Sequence, residues 1–381
     1  MVRRLQYDND FLTGGAPTTR VTPSFRVSEY LRPDGRLRVH RELVGSMQVL
    51  RDTFGAPIRI DSQQPAEGLG DGLDGRFVWA AAADPLALAQ AARGLMADGH
   101  FVRVEVRAAR VYLEMPDPDQ LPAIAAARAL DLAIAVTAGF ETSGDPYAAV
   151  TGNFDGAGLS FGPLQVNFKT GTLQEQFRRF EARDARRLQA CFGPLWPEWQ
   201  EVMRLPSRAR QVEWADARSR GASKAGFDPA WTAALRAVGA EPAFREEILR
   251  YAYDTYGRKL IVALSWLRGL HPLRIANLRC LAALYDLCVQ QGSLDRAHDA
   301  IRRRVQREAP ADQFALTRIA VEERGRAADP RWRADCISRR LCILDREPVK
   351  VAESGQSAER DNPNLYLLRN VPVNQVERYL A

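Results

Sequence analysis

Two neighbouring stretches decide how this 381-residue chain is read: Phe140-Glu141-Thr142-Ser143-Gly144-Asp145-Pro146-Tyr147, and Gly152-Asn153-Phe154-Asp155-Gly156-Ala157-Gly158-Leu159-Ser160-Phe161-Gly162-Pro163-Leu164-Gln165. The first follows an Ala-rich apolar run, Ala123 to Gly139, whose pattern predicts a helix, so Glu141 falls at a helix end. The second is a glycine-punctuated turn that leads into short β-like runs. An isolated Glu and an isolated Asp-Gly would be an ordinary helix end and an ordinary turn. Here the turn from Asp155 onward contains Gly156, Gly158 and Gly162 around an apolar Phe161, more than a solvent loop needs.

That pairing suits the cleavage of a glycosidic bond, which needs two carboxyl groups on opposite sides of the bond. One must be protonated to support the leaving oxygen. The other must activate water. Shielding by the helix end and by Phe140 disfavours the charged form of Glu141 and raises its pKa, so Glu141 is expected to be the proton donor. Asp155, in an open turn, is expected to be the base, since such sites set their roles by giving two carboxyls different environments. Ser160 follows Asp155 closely enough to hold the attacking water.

The stretch from Ala135 to Leu173 resembles the active-site region of family 46 chitosanases and their relatives in the lysozyme superfamily. There a Glu ends a helix, and an Asp opens an Asp-Gly-x-Gly-aromatic-Thr-x-Gly turn on a small sheet. The resemblance implies catalytic roles for Glu141, Asp155 and Ser160, with Ser160 in place of the family's water-positioning Thr. The spacing from Glu141 to Asp155 is shorter than in chitosanases. A second block, Leu281 to Gly292, resembles the family's central helix, which places Asp286 behind the cleft. A third, Trp332 to Arg340, offers Arg339 as a partner for Asp286 or Glu141. Tyr147, Phe161, Gln165 and Asn167 are expected substrate contacts. The resemblance spans residues 123–350 and implies a mainly helical, two-lobed domain with a small sheet. Chitosanase-like inversion would set the carboxyls about 6.5–9.5 Å apart.

Upstream, Pro116-Asp117-Pro118-Asp119-Gln120-Leu121-Pro122 reads as a linker. Residues 22–116 form a small α/β unit: a helix with Leu43, Met47 and Leu50 in register, a strand at Pro57 to Asp61, a helix from Pro85 capped by Asp84, and strands at Phe101 to Val106 and Arg110 to Met115. This unit is similar to zinc D-Ala-D-Ala carboxypeptidases over Phe25 to Tyr30 and Gly55 to Ser62. It lacks that family's His ligands in Gly70 to Asp84 and in the last strands. Zinc needs such ligands, so the resemblance implies a degenerate, metal-free domain, either wall-binding or plainly structural. Residues 1–21 read as a loose arm and 351–381 as a polar tail. The fold class expected is α+β.

Composition sets the remaining bounds. Net charge is +6 with a sequence pI near 9.2, which attracts polyanions. No nucleic-acid-binding motif accompanies the charge, and Arg302-Arg303-Arg304 reads as a solvated helix face. Five cysteines, Cys191, Cys280, Cys288, Cys336 and Cys342, lack CxxC spacing and read as reduced thiols. The four histidines, His40, His100, His271 and His298, are too dispersed for a metal site. His100 reads as a loop residue. No signal sequence and no membrane span are legible.

These readings converge on a cofactor-free peptidoglycan glycosidase of the muramidase type. It would be made in the cytoplasm and act on glycan strands in the wall or periplasm of a host or target cell, as an endolysin or an antibacterial effector. An effector would bring a secretion apparatus and an immunity protein as partners, and no nucleic acid or membrane insertion. The alternatives are a chitosanase and a non-catalytic wall-binding protein. A chitosanase binds a polycation, which a basic chain suits less well.

Overall fold

The structure is a computed structural model and describes residues 5–32, 34–62, 75–141 and 145–374, the side chains of Asp61, Ser62 and Glu141 excepted. The chain is α+β: mainly helical, with several small separate sheets.

The amino-terminal unit comprises β1 (Gln6–Asp8), β2 (Phe11–Gly14), α1 (Val27–Tyr30), β3 (Val39–His40), α2 (Arg41–Phe54), β4 (Arg59–Ser62), β5 (Phe77–Ala81), α3 (Pro85–Gly94), β6 (Arg103–Arg107) and β7 (Arg110–Glu114). A four-stranded antiparallel sheet runs β4-β5-β7-β6. Its alternation sends Val78, Ala80, Val111 and Leu113 toward Leu43, Met47, Leu50 and Leu88 of α2 and α3. The opposite face carries a separate aromatic cluster, Phe77, Trp79 and Tyr112. Asp84 caps α3 by accepting from the N–H groups of Leu86 and Ala87, and Pro85 opens the helix. Of the stretch Gly70 to Asp84, which should hold the zinc ligands in the carboxypeptidase resemblance, the part before Gly75 lies outside the described residues.

One expectation is corrected here, and His100, in a loop as expected, is buried. The arm of residues 1–21 is not loose from Leu5 onward: β1, β2 and β3 form an antiparallel sheet, because Leu12 has no exposed surface and joins the core. His100 meets Ser46 Oγ through Nδ1 at 3.0 Å. Burial, then Arg369 and Arg128, push its pKa down to about 3, so it stays neutral.

The larger unit continues with β8 (Ile124–Ala125), α4 (Ala126–Glu141), β9 (Val150–Thr151), β10 (Ser160–Phe161), β11 (Val166–Asn167), α5 (Thr172–Phe192), α6 (Trp196–Arg204), α7 (Arg208–Arg218), β12 (Ser219–Arg220), β13 (Gly226–Phe227), α8 (Pro229–Ala240), α9 (Pro242–Ala252), α10 (Arg258–Leu270), α11 (Leu278–Gln291), α12 (His298–Glu308), α13 (Gln313–Arg326), α14 (Arg333–Asp345), β14 (Val349–Glu353), β15 (Gln356–Arg360) and β16 (Val373–Asn374). One apolar cluster ends at Met115 and the next begins at Leu121, so the proline-rich stretch separates two cores. Helices α5, α6, α8 and α9 pack around an aromatic centre of Phe177, Phe192, Trp199, Trp231 and Phe244. Helices α4, α11, α13 and α14 form a second group. A π-helical turn at Tyr253–Gly257 joins α9 to α10.

Three further details differ from the sequence reading. Helix α7 escaped notice because charge surrounds it and only Gln211 and Ala215 are buried. Arg304 is no solvated residue: it bridges α12 and α13 through Glu322 and Glu323. Residues 351–374 do not trail as a tail. β14 and β15 make a hairpin on α14, and Leu368, Val371 and Val373 are core residues. Those apolar side chains need cover, and β16 supplies it by pairing in parallel with β8.

A buried charge cluster joins the two units. Glu42 of α2 accepts from Arg346 Nη1 at 2.5 Å and lies 3.5 Å from Arg369 Nε. Burial raises its pKa, but Arg346, Arg369 and the Asn370 N–H outweigh burial and hold the carboxyl below its usual range. All five cysteines are free thiols, four of them buried. Among the described residues no helix is long and apolar enough to cross a membrane.

Candidate active site

Strands β9, β10 and β11 form an antiparallel sheet in the order β11-β10-β9. Ser160 pairs with Thr151 on one side and Asn167 on the other, and Phe161 pairs with Val150 and Val166. Side chains alternate across a sheet. One face therefore carries Thr151, Ser160 and Asn167 as a polar row, and the other carries Val150, Phe161 and Val166. The apolar face meets Phe177 and Phe244.

The connection from β9 to β10 holds Asp155, which is exposed. Its Oδ1 accepts from the Ala157 N–H at 3.0 Å, closing a local turn. Asn153 braces the same turn: its Oδ1 accepts from the Gly158 N–H at 2.8 Å and its Nδ2 donates to Asp216 Oδ1 at 2.6 Å. Gly158 has φ +83°, and an added Cβ would stand 3.2 Å from Val212 of α7. Only glycine meets both demands cheaply. Phe154, next to Asp155, is 57% exposed and was not singled out in the sequence. A large aromatic between Asn153 and Asp155 in a Gly-rich turn was the available signal.

Glu141 is the last residue of α4; its side chain lies outside the described residues, and so does the carboxyl separation expected from the resemblance. The preceding turn is well defined. Asp286 of α11 is fully buried. Arg339 of α14 forks onto it, with Nε 3.0 Å from both oxygens and Nη2 2.8 Å from Oδ1. Arg340 adds Nε at 3.0 Å from Oδ2. Burial raises the Asp286 pKa, but Arg339 and Arg340 outweigh it and hold the group ionised. The Arg339 guanidinium also lies over the Phe140 ring, 4.5 Å from its centroid. The second carboxylate partner, Arg340, was missed in the sequence: neighbours on a helix point apart, and only complete burial of α14 turns both inward.

The expected substrate contacts separate. Phe161 has no exposed surface. It supports the sheet from the core and cannot touch a ligand, which corrects the sequence expectation. Tyr147 lies under Arg245, whose guanidinium sits 4.5 Å from the ring centroid, and burial raises its pKa. Gln165 accepts from Thr151 Oγ1 at 3.3 Å and donates to the Gly162 carbonyl at 3.0 Å. Asn167 accepts from Thr170 N–H at 3.0 Å and keeps partial exposure. Among the described residues no cluster of three or more His, Cys, Asp or Glu side chains could hold a metal ion.

The chain matches no protein-family model and no curated protein. Solved structures similar to it include the native chitosanase from Bacillus subtilis MY002, at 16% identity and a TM-score of 0.37, covering 62% of this chain and 97% of that one. A GH46 chitosanase from Gynuella sunshinyii in complex with chitotetraose gives 15% identity and a TM-score of 0.39, covering 62% and 98%. The carboxypeptidase resemblance of the amino-terminal unit finds no support in these comparisons.

Proposed function

We propose that this chain is a glycoside hydrolase that cuts the glycan strands of peptidoglycan. Glu141 protonates the leaving oxygen, and Asp155 activates the attacking water. The observation that carries the reading is the polar row Thr151, Ser160 and Asn167, on a sheet whose turn presents Asp155 to solvent. Ser160 is only 4% exposed and sits between the partly exposed Thr151 and Asn167. Its polar face supplies hydroxyl and amide groups suited to water and sugar hydroxyls. The buried Asp286–Arg339 pair fixes the helix turn that ends in Glu141, which supports a preorganised acid.

Peptidoglycan is favoured over chitosan by charge. A chain of net charge +6 draws an anionic wall polymer toward it and repels a cationic one. The amino-terminal unit would add wall affinity, in an endolysin or an effector matched by an immunity protein. General acid–base chemistry between two carboxyls needs no cofactor.

The test is digestion of purified sacculi in parallel with chitosan oligomers, reading new reducing ends and released muropeptides. Muropeptide release supports the proposal. Chitosan cleavage alone would overturn the polymer assignment, and cleavage of neither would overturn the glycosidase assignment.

A further inference from the structure

The turn of α4 before its last is held from a second side, by residues beyond the hairpin β14–β15. Asn362, only 4% exposed, donates through Nδ2 to the Val136 carbonyl at 2.7 Å. Asn364 donates through Nδ2 to the Ala135 carbonyl at 2.8 Å. Asn362 Oδ1 in turn accepts from the Asn364 N–H at 2.8 Å, locking the two amides together. This approach is possible because α4 carries glycine at position 139. A Cβ there would stand 2.6 Å from Asn362 Oδ1 and 3.0 Å from Asn364 Nδ2. Glycine weakens a helix interior, so its presence two positions before Glu141 marks a contact that needs the room.

The same segment is anchored at its far end to the amino-terminal unit. Tyr366 donates to Asp52 Oδ2 at 3.0 Å. Arg369 donates to the carbonyls of Asp98 and Gly99 at 2.7 and 2.6 Å. The Asn370 N–H donates to Glu42 Oε1 at 3.0 Å. Residues 362–374 thus run as a strap from the catalytic helix to α2, and close by pairing β16 with β8.

We propose that Asn362 and Asn364 are positioning residues for Glu141, and that this strap is the part through which the amino-terminal unit holds the catalytic helix end. The inference rests on Glu141 being the acid. Asp286 and Arg339 on one side and the two amides on the other brace the helix just before Glu141. Loss of an amide lets water reach the helix end. The acid role calls for a carboxyl with a raised pKa; better hydration would lower it, and misplacement by about 1 Å costs roughly 100-fold in rate.

The experiment compares wild type, Asn364→Ala and Gly139→Ala on sacculi, with Gly139→Ala expected to push the strap away while favouring the helix. Both variants should lose about 10- to 100-fold in kcat with KM changed less than about threefold. The alkaline limb of the pH–rate profile should move to lower pH, and amide exchange should quicken at residues 136–141. Wild-type kcat and an unmoved alkaline limb in both variants would overturn the inference. Wild type that cuts no glycan overturns the glycosidase reading instead, and unchanged exchange in the variants then overturns the strap on its own.

Discussion

Arg339 grips Asp286 through three nitrogen–oxygen contacts of 2.8 to 3.0 Å while its guanidinium face covers Phe140, the residue before Glu141. The fork and the stacking both need a planar group. Arg339→Lys keeps the charge and loses both. It should lower kcat about 10- to 100-fold with little change in KM, because the turn it supports carries the acid. Arg339→Ala leaves Asp286 with Arg340 alone and should destabilise the fold by about 3 kcal/mol. Steady-state kinetics and denaturant melts check the two effects separately.

Phe161 lies in the aromatic core behind the sheet. Phe161→Ala should cost about 3–5 kcal/mol of stability by opening a cavity. In the fraction that stays folded, KM for glycan should remain close to wild type. A large KM increase at unchanged stability would return Phe161 to the substrate face.

Much of this arrangement was legible in the sequence. The run from Ala123 to Gly139 announced α4, and three glycines announced the turn at Asp155, because local backbone demands are written locally. Arg339 was expected to meet Asp286 or Glu141, and it meets Asp286. What escaped were relations between distant segments. Arg340 turns inward because α14 is buried on every side. Asn362 and Asn364 reach α4 from a stretch whose polarity suggested a loose tail. Phe161 was expected among the substrate contacts although strand alternation sends it opposite to Ser160. Polar residues in a tail and in an interdomain strap look alike until their partners are known.

Gly158 combines φ +83° with close approach to Val212. Gly158→Ala should cost about 1–3 kcal/mol for the backbone conformation alone. It should also displace the Asp155 turn, so activity should fall by more than the loss of folded protein accounts for. Activity normalised to folded fraction makes the distinction.

The buried acids set the response to low pH. Glu42 and Asp286 both have folded pKa values held below their usual range, despite burial, by their arginine partners. Depressed acids contribute stability that is fully present above their unfolded values, about 4.3 and 3.9. That stability is lost as pH falls through the lower folded values. Glu42→Gln should therefore be most destabilising near neutrality, by about 3–5 kcal/mol, and the gap to wild type should narrow below about pH 4. Melting curves across pH 3 to 7, a range of roughly four units around these acids, should show the convergence.

The most direct test of the whole account is the initial rate of reducing-end release from sacculi by wild type, Glu141→Gln and Asp155→Asn, with melting temperatures recorded alongside. Both amides are nearly isosteric and should leave the fold intact. Removing the proton donor should lower the rate by about 100- to 10,000-fold, and removing the base should be nearly as severe. A Glu141→Gln protein that melts like wild type and cuts glycan at the wild-type rate would contradict the assignment of Glu141 as the acid.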